Sequence, residues 1–173
     1  MKCSILPQSF FDRPVLDVAP ELLGKFLVRE RGGTIDELHI TEVEAYDGPH
    51  DLACHASKGK TPRTAVMFGP AGHWYIYFVY GMHWMLNIVT GPEGYPAAVL
   101  IRGTSEVTGP ARVTRHLSIG REQNEKPANR TSGLWIEDRG ISIPRNAIKR
   151  TPRIGVDYAK EWAKKPYRFV WEK

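Results

Sequence analysis

Between Ile40 and Tyr46 the chain reads Ile-Thr-Glu-Val-Glu-Ala-Tyr. Successive side chains of a strand point to opposite faces. The pattern therefore predicts a strand with Val43 and Ala45 on one face and Glu42, Glu44 and Tyr46 on the other. Asp47-Gly48-Pro49 is turn chemistry and ends the strand. Two carboxylates and a phenol share the face opposite the apolar one. An acid at a strand end, beside a loop, is well placed to act on something held above a sheet. Taken alone, Glu-x-Glu is equally the solvated face of an ordinary strand.

The same reading carries along the chain. Residues 1–13 read as an irregular arm. Leu16 to Leu23 has helical apolar spacing, and Gly24 suits the position past its end. Pro20 fits only in a first turn, so this helix is expected to be short. Lys25 to Glu30 reads as a strand, and Arg31-Gly32-Gly33 as the hairpin turn into the strand bearing Glu42 and Glu44. A long polar connection, residues 47–65, holds His50, His55, Lys58, Lys60 and Arg63. After a turn at 68–72, His73 to Tyr80 is a strand with Tyr75, Tyr77 and Val79 on one face and Trp74, Ile76 and Phe78 on the other. Tyr80 falls at its end, against Gly81.

Trp84 to Thr90 is the next strand. Asn87 lies among Leu86, Ile88 and Val89, and a buried amide needs partners, so it either ties down backbone or reads a ligand. Ala97 to Ile101 is a short apolar strand ending in Arg102. Gly109-Pro110 opens a helix through Leu117, with proline at the first helical position. Residues 121–130 read as a mobile connection. Leu134–Glu137 and Ile141–Ile143 read as short strands around Asp138-Arg139-Gly140. A loop over 151–156 leads to a short helix near Tyr158 to Lys164, stopped by Pro166, and Arg168 to Trp171 reads as a last strand. The expected fold is α+β: residues 1–173 as a single mixed domain, with an antiparallel curved β-sheet core and short flanking helices.

Composition sharpens this picture in three ways. The 173 residues suit one domain with a proper core, and no apolar run reaches the roughly eighteen residues of a membrane span. Residues 1–7 lack a secretory leader pattern, and two cysteines, Cys3 and Cys54, make no disulfide framework. A cytoplasmic, nucleoid-associated protein with no targeting signal is expected. The net charge of +5 favours a polyanionic partner, and Lys58-x-Lys60-x-x-Arg63 has the make-up of a phosphate-contacting run.

A strand-end acid with an arginine available, an aromatic strand beside a basic loop, and two nearby histidines suggest a pocket in which a flat ring stacks on tyrosine while a carboxylate activates water. Extruded or single-stranded nucleotides fit that chemistry. A rival reading stays open. Glu42 and Glu44 lie about 6.5–7 Å apart along a strand, near the separation of an inverting glycoside-hydrolase pair. His50, Cys54 and His55 lack metal-ligand spacing, and no glycine-rich phosphate loop is present.

Together these motifs resemble a known family. Glu42-Val-Glu-Ala-Tyr46-x-Gly-Pro49 followed by Ala53-x-His55, then Met67-Phe-Gly-Pro-x-Gly-His73 and Tyr75-x-Tyr77-x-x-Tyr80-Gly-Met82, are similar to the alkyladenine (3-methyladenine) DNA glycosylases. Asn87, Val99-Leu-Ile-Arg102, Gly109-Pro110 and Arg168-Phe169 complete the set, in the family's order, from about Leu22 to Phe169.

The resemblance implies a monofunctional enzyme that hydrolyses the N-glycosidic bond of alkylated purines in duplex DNA. It implies no metal or other cofactor, no membrane, and a monomer whose partner is double-stranded DNA with damaged purines. It implies Glu44 as the base that activates water, with Arg102 and the backbone of Val156 helping to hold water and carboxylate. Tyr46 and Tyr77 would sandwich the flipped base, with His55 as third wall and Asn87 as the pocket amide. Tyr80 would fill the gap left in the duplex, and Lys58, Lys60 and Arg63 would meet its backbone. A cationic base between electron-rich rings gains roughly 0.5–2 kcal/mol, which favours damaged purines. The chain departs from the family pattern at Cys54, Thr64 and Arg112-Val113, which touch pocket edges and DNA contacts.

Overall fold

The alternating pattern extends well beyond the stretch that announces it. In the computed structural model, which describes residues 3–172, one strand runs unbroken for 14 residues from Thr34 to Asp47. In chain order the elements are β1 (Ser4–Ile5), α1 (Gln8–Phe11), α2 (Val15–Leu22), β2 (Phe26–Arg31), β3 (Thr34–Asp47), β4 (Trp74–Val79), β5 (His83–Thr90), β6 (Ala97–Thr104), α3 (Pro110–His116), β7 (Leu134–Asp138), β8 (Ile148–Thr151) and β9 (Arg168–Trp171), with short 3₁₀ turns between them. The sheet is antiparallel in the order β1-β7-β2-β3-β6-β5-β4, and β9 adds to β3 with β8 beyond it.

The long strand changes partners along its length. Its first half pairs with β2 across the Gly32-Gly33 turn, both glycines at positive φ, as a tight hairpin requires. Its second half lies between β6 and β9. Where the partners change, the register to β6 slips between Ile40 and Val43. Such bulges bend a strand and increase its twist, which curls the sheet into a half-barrel.

Period-two alternation then sorts the two faces. Val43, Ala45, Trp74, Ile76, Leu86, Ile88, Val99 and Ile101 point into the main core, against Leu22 of α2 and Val113 of α3. The opposite face carries Glu44, Tyr46, Tyr75, Tyr77, Asn87 and Leu100. Register aligns four of these in one row across the strands: Tyr75 opposes Asn87, Asn87 opposes Leu100, and Leu100 opposes Glu44.

Five expectations change. The arm before residue 13 contains β1, paired with β7, and the helical turn α1. Pro20 is inside α2, five residues past its start rather than in the first turn. Having no N–H, it cannot bond the Leu16 carbonyl four residues earlier. Ile141–Ile143 forms no strand. Ile141 and Ile143 instead lay their side chains on Gly24, and Ile148–Thr151 pairs with β9.

Residues 121–130 are not a loose connection but are pinned along the edge of β4. Asn124 Oδ1 accepts from the Ile76 amide at 2.8 Å, Lys126 C=O accepts from Trp74 N–H at 2.9 Å, and Glu125 N–H donates to Trp74 C=O. This occupies backbone groups that an edge strand would otherwise leave open. Residues 157–164 are a 3₁₀ stretch broken at Lys160 rather than a regular helix. Among the described residues no helix is long and apolar enough to cross a membrane.

Candidate active site

On the concave polar face, a cavity of about 520 Å³ is lined by side chains from β3, β4, β5 and β6, by the loop after β3, and by residues 154–158. Glu44 is fully buried and is not itself a lining residue, but it contacts three that are. Its Oε2 accepts from the Tyr46 hydroxyl at 2.8 Å, its Oε1 accepts from the Ile154 amide at 2.8 Å, and Arg102 Nε stands 3.5 Å from Oε1. Tyr46, Arg102 and Ile154 all line the cavity. Burial pushes the Glu44 carboxyl above its ordinary value, while Arg102, the Ile154 N–H and the Tyr46 hydroxyl pull it back.

Glu42 differs from its neighbour two residues on. It is bonded by Arg102 Nε at 3.0 Å and by Arg168 Nε at 2.6 Å, and of these two partners only Arg102 lines the cavity. Gly103 leaves it room, since a Cβ there would come 3.2 Å from Glu42 Oε2. Arg102 thus spans both acids, one at the site and one behind it.

The aromatic walls are set by alternation on β3 and β4. Tyr46 and Tyr77 both face the cavity. Tyr77 packs edge-on to the His55 ring, centroids 4.6 Å apart, and tilts against Tyr75 at 5.1 Å. His55 Nδ1 meets the Tyr75 hydroxyl at 3.0 Å. Burial, with Arg63 and Lys58 nearby, lowers the His55 pKa to about 4, so the ring is neutral at pH 7. The hydroxyls of Tyr46 and Tyr77 are held protonated, chiefly by burial. Asn87 Nδ2 donates to the Tyr75 carbonyl at 3.1 Å, so it ties down backbone and also borders the cavity. The backbone-tying reading of that buried amide holds.

The rest of the expected set divides. Val156 is buried and lines the cavity, but the backbone group that reaches Glu44 belongs to Ile154, two residues earlier. Tyr80 borders the cavity at the tip of the β4–β5 hairpin, 86% exposed with φ 52°, next to Met82 at 64%. Arg63 lines the cavity, its guanidinium carbon 4.9 Å from the Tyr77 ring centre. Lys58 and Lys60 are exposed on the loop outside it, Lys60 over the Phe68 ring. His50 is exposed and off the cavity.

No local signal in the chain marks the pair beneath Tyr46. Arg153 and Asp51 are both buried and joined by two hydrogen bonds. Arg153 also donates to the carbonyls of Ala45 and Trp162, and its guanidinium lies 4.8 Å from the Tyr46 ring centre. Asp51 in turn accepts from the amides of Asp47 and Ala53. This staple joins the loop after β3 to the loop that carries Ile154.

A family model described as methylpurine-DNA glycosylase (MPG) matches residues 9–108 and 104–173. The chain belongs to the methylpurine-DNA glycosylase family. Among its relatives, a Myxococcus xanthus protein is 49% identical, covering 96% of this chain and 89% of the relative. A Methanocella arvoryzae protein is 44% identical over 95% and 91%, and one from Legionella pneumophila 44% over 95% and 92%. Each carries the name "Putative 3-methyladenine DNA glycosylase". Methylpurine-DNA glycosylases are hydrolases of the N-glycosidic bond, a reaction that asks for a base, a water and a grip on a flat heterocycle. In this family member two tyrosine rings line the cavity, and a buried carboxylate is bonded to one of them.

Proposed function

We propose that the protein excises alkylated purines, 3-methyladenine and 7-methylguanine foremost, from double-stranded DNA as a monofunctional, monomeric glycosylase of base-excision repair. The damaged nucleotide leaves the helix and its base enters between Tyr46 and Tyr77. Extrusion costs a few kcal/mol, least where damage has weakened pairing, and Tyr80 fills the vacated gap. His55 and Val156 close the pocket around the base, and Asn87 disfavours an exocyclic amino group. Lys58 and Lys60, exposed on the loop, hold the phosphates. Glu44, kept ionised by Arg102, the Ile154 amide and the Tyr46 hydroxyl, takes a proton from water as it attacks C1′. The same charge stabilises the oxocarbenium character of the transition state. The cationic base departs with its bonding electrons and needs little acid assistance.

The observation that carries this reading is the buried Glu44 carboxylate bonded to Tyr46 and adjacent to Arg102, two side chains that line one cavity with Tyr77. The cavity's volume lies within the range of small-ligand pockets.

The test is product analysis on methylated duplex DNA. Free methylated base and an abasic, alkali-labile strand are expected, with no protein–DNA adduct after borohydride. A trapped adduct, or binding without base release, contradicts the proposal.

A further inference from the structure

Both rings assigned to the base sandwich already carry a guanidinium. Arg153 lies 4.8 Å from the centre of Tyr46 and Arg63 lies 4.9 Å from the centre of Tyr77. The two arginines differ in what surrounds them. Arg153 is buried and its charge is matched by Asp51. Arg63 is exposed, and among the described residues no carboxylate lies within ion-pair distance of it. It is held by the aromatic cluster instead. It sits near the Tyr75 hydroxyl, which meets His55 Nδ1, and it rests on Tyr77. An unmatched positive charge is therefore fixed on a ring of the pocket.

We propose that Arg63 is a specificity-determining residue that suppresses the pocket's preference for cationic bases, so that flat neutral purines compete with methylated, charged ones. The inference rests on the glycosylase reading above and deepens it. A bare tyrosine ring attracts a cation by its quadrupole. A ring that already holds one guanidinium offers a second cation less, because the two charges repel each other. A neutral base meets no such penalty and keeps the stacking. One unit charge about 8 Å away, partly screened at an exposed site, changes relative affinity by roughly three- to tenfold. A contact to DNA phosphate predicts something else, an equal loss on every lesion.

The experiment compares single-turnover excision of 7-methylguanine, which is cationic, and hypoxanthine, which is neutral, from duplexes of one sequence. The enzymes are wild type, Arg63→Gln and Arg63→Lys, with melting temperatures measured alongside. In Arg63→Gln the ratio of cationic to neutral excision rises roughly three- to tenfold, and in Arg63→Lys, which keeps the charge, it stays near wild type. A ratio unchanged within about twofold in Arg63→Gln, or one that falls, overturns the inference and leaves Arg63 a backbone contact. A wild type that takes only the cationic lesion overturns it as well. A wild type that excises neither lesion overturns the glycosylase reading itself.

Discussion

Burial works against the ionised form of Glu44, while Arg102, the Ile154 amide and the Tyr46 hydroxyl work for it, and burial prevails. Two consequences follow. A base acts when deprotonated, so excision falls as pH drops through a value above the ordinary 4.5. His55, with its pKa near 4, stays neutral across that limb. A pH–rate profile checks this, and an acid limb below pH 4 contradicts it. The second consequence concerns stability. The folded state holds the Glu44 proton more tightly than the unfolded chain does. The contribution to stability is therefore complete below the unfolded value and lost as pH rises through the folded one. Glu44→Gln is expected to melt at or above wild type at pH 7, with the difference closing near pH 4. Arg153→Met leaves the Asp51 carboxylate buried without its partner, and such losses cost about 3–5 kcal/mol. A urea titration showing less than about 1 kcal/mol refutes the staple.

At the scale of elements, the strands that build the pocket were readable because a period of two fixes the face of every side chain. Glu44 with Tyr46, Tyr75 with Tyr77, and Asn87 all lie where alternation puts them. Loop returns obey no period. Ile154 reaches Glu44 across 110 positions and Arg153 reaches Asp51 across 102. Nothing local marks either meeting, and Asp51 was passed over in a loop read for its cations. Ile141–Ile143 has strand composition, yet its side chains cover Gly24 rather than joining a ladder.

The β4–β5 hairpin gives this scale its prediction. Tyr80 is exposed, so Tyr80→Ala changes stability by no more than about 0.5 kcal/mol. If the ring fills a vacated stack, excision from duplex falls, and excision from a single strand, which has no gap to fill, is spared. Equal loss on both substrates assigns Tyr80 to the pocket rather than to the duplex.

For the whole molecule, the +5 charge and the basic loop around Lys58 and Lys60 suit a polyanionic partner. Binding to duplex DNA is expected to weaken with salt at a log–log slope of about −0.9 per phosphate contacted, and Lys58→Gln with Lys60→Gln to flatten it by up to about two units. An unchanged slope removes both lysines from the interface. The general architecture was legible, since hairpin signals and alternation sufficed for an antiparallel sheet. Its curl was not, because the bulge at Ile40–Val43 arises from the exchange of β2 for β9 along β3. That curl brings the strand bearing Glu44 and the strand bearing Tyr77 around one cavity.

The most direct test of the account is release of 3-methyladenine from methylated duplex DNA by wild type and Glu44→Gln side by side, with binding measured for both. Loss of a general base predicts a fall of at least about 100-fold in single-turnover release, with damaged-duplex affinity retained. Release by Glu44→Gln within about tenfold of wild type contradicts it.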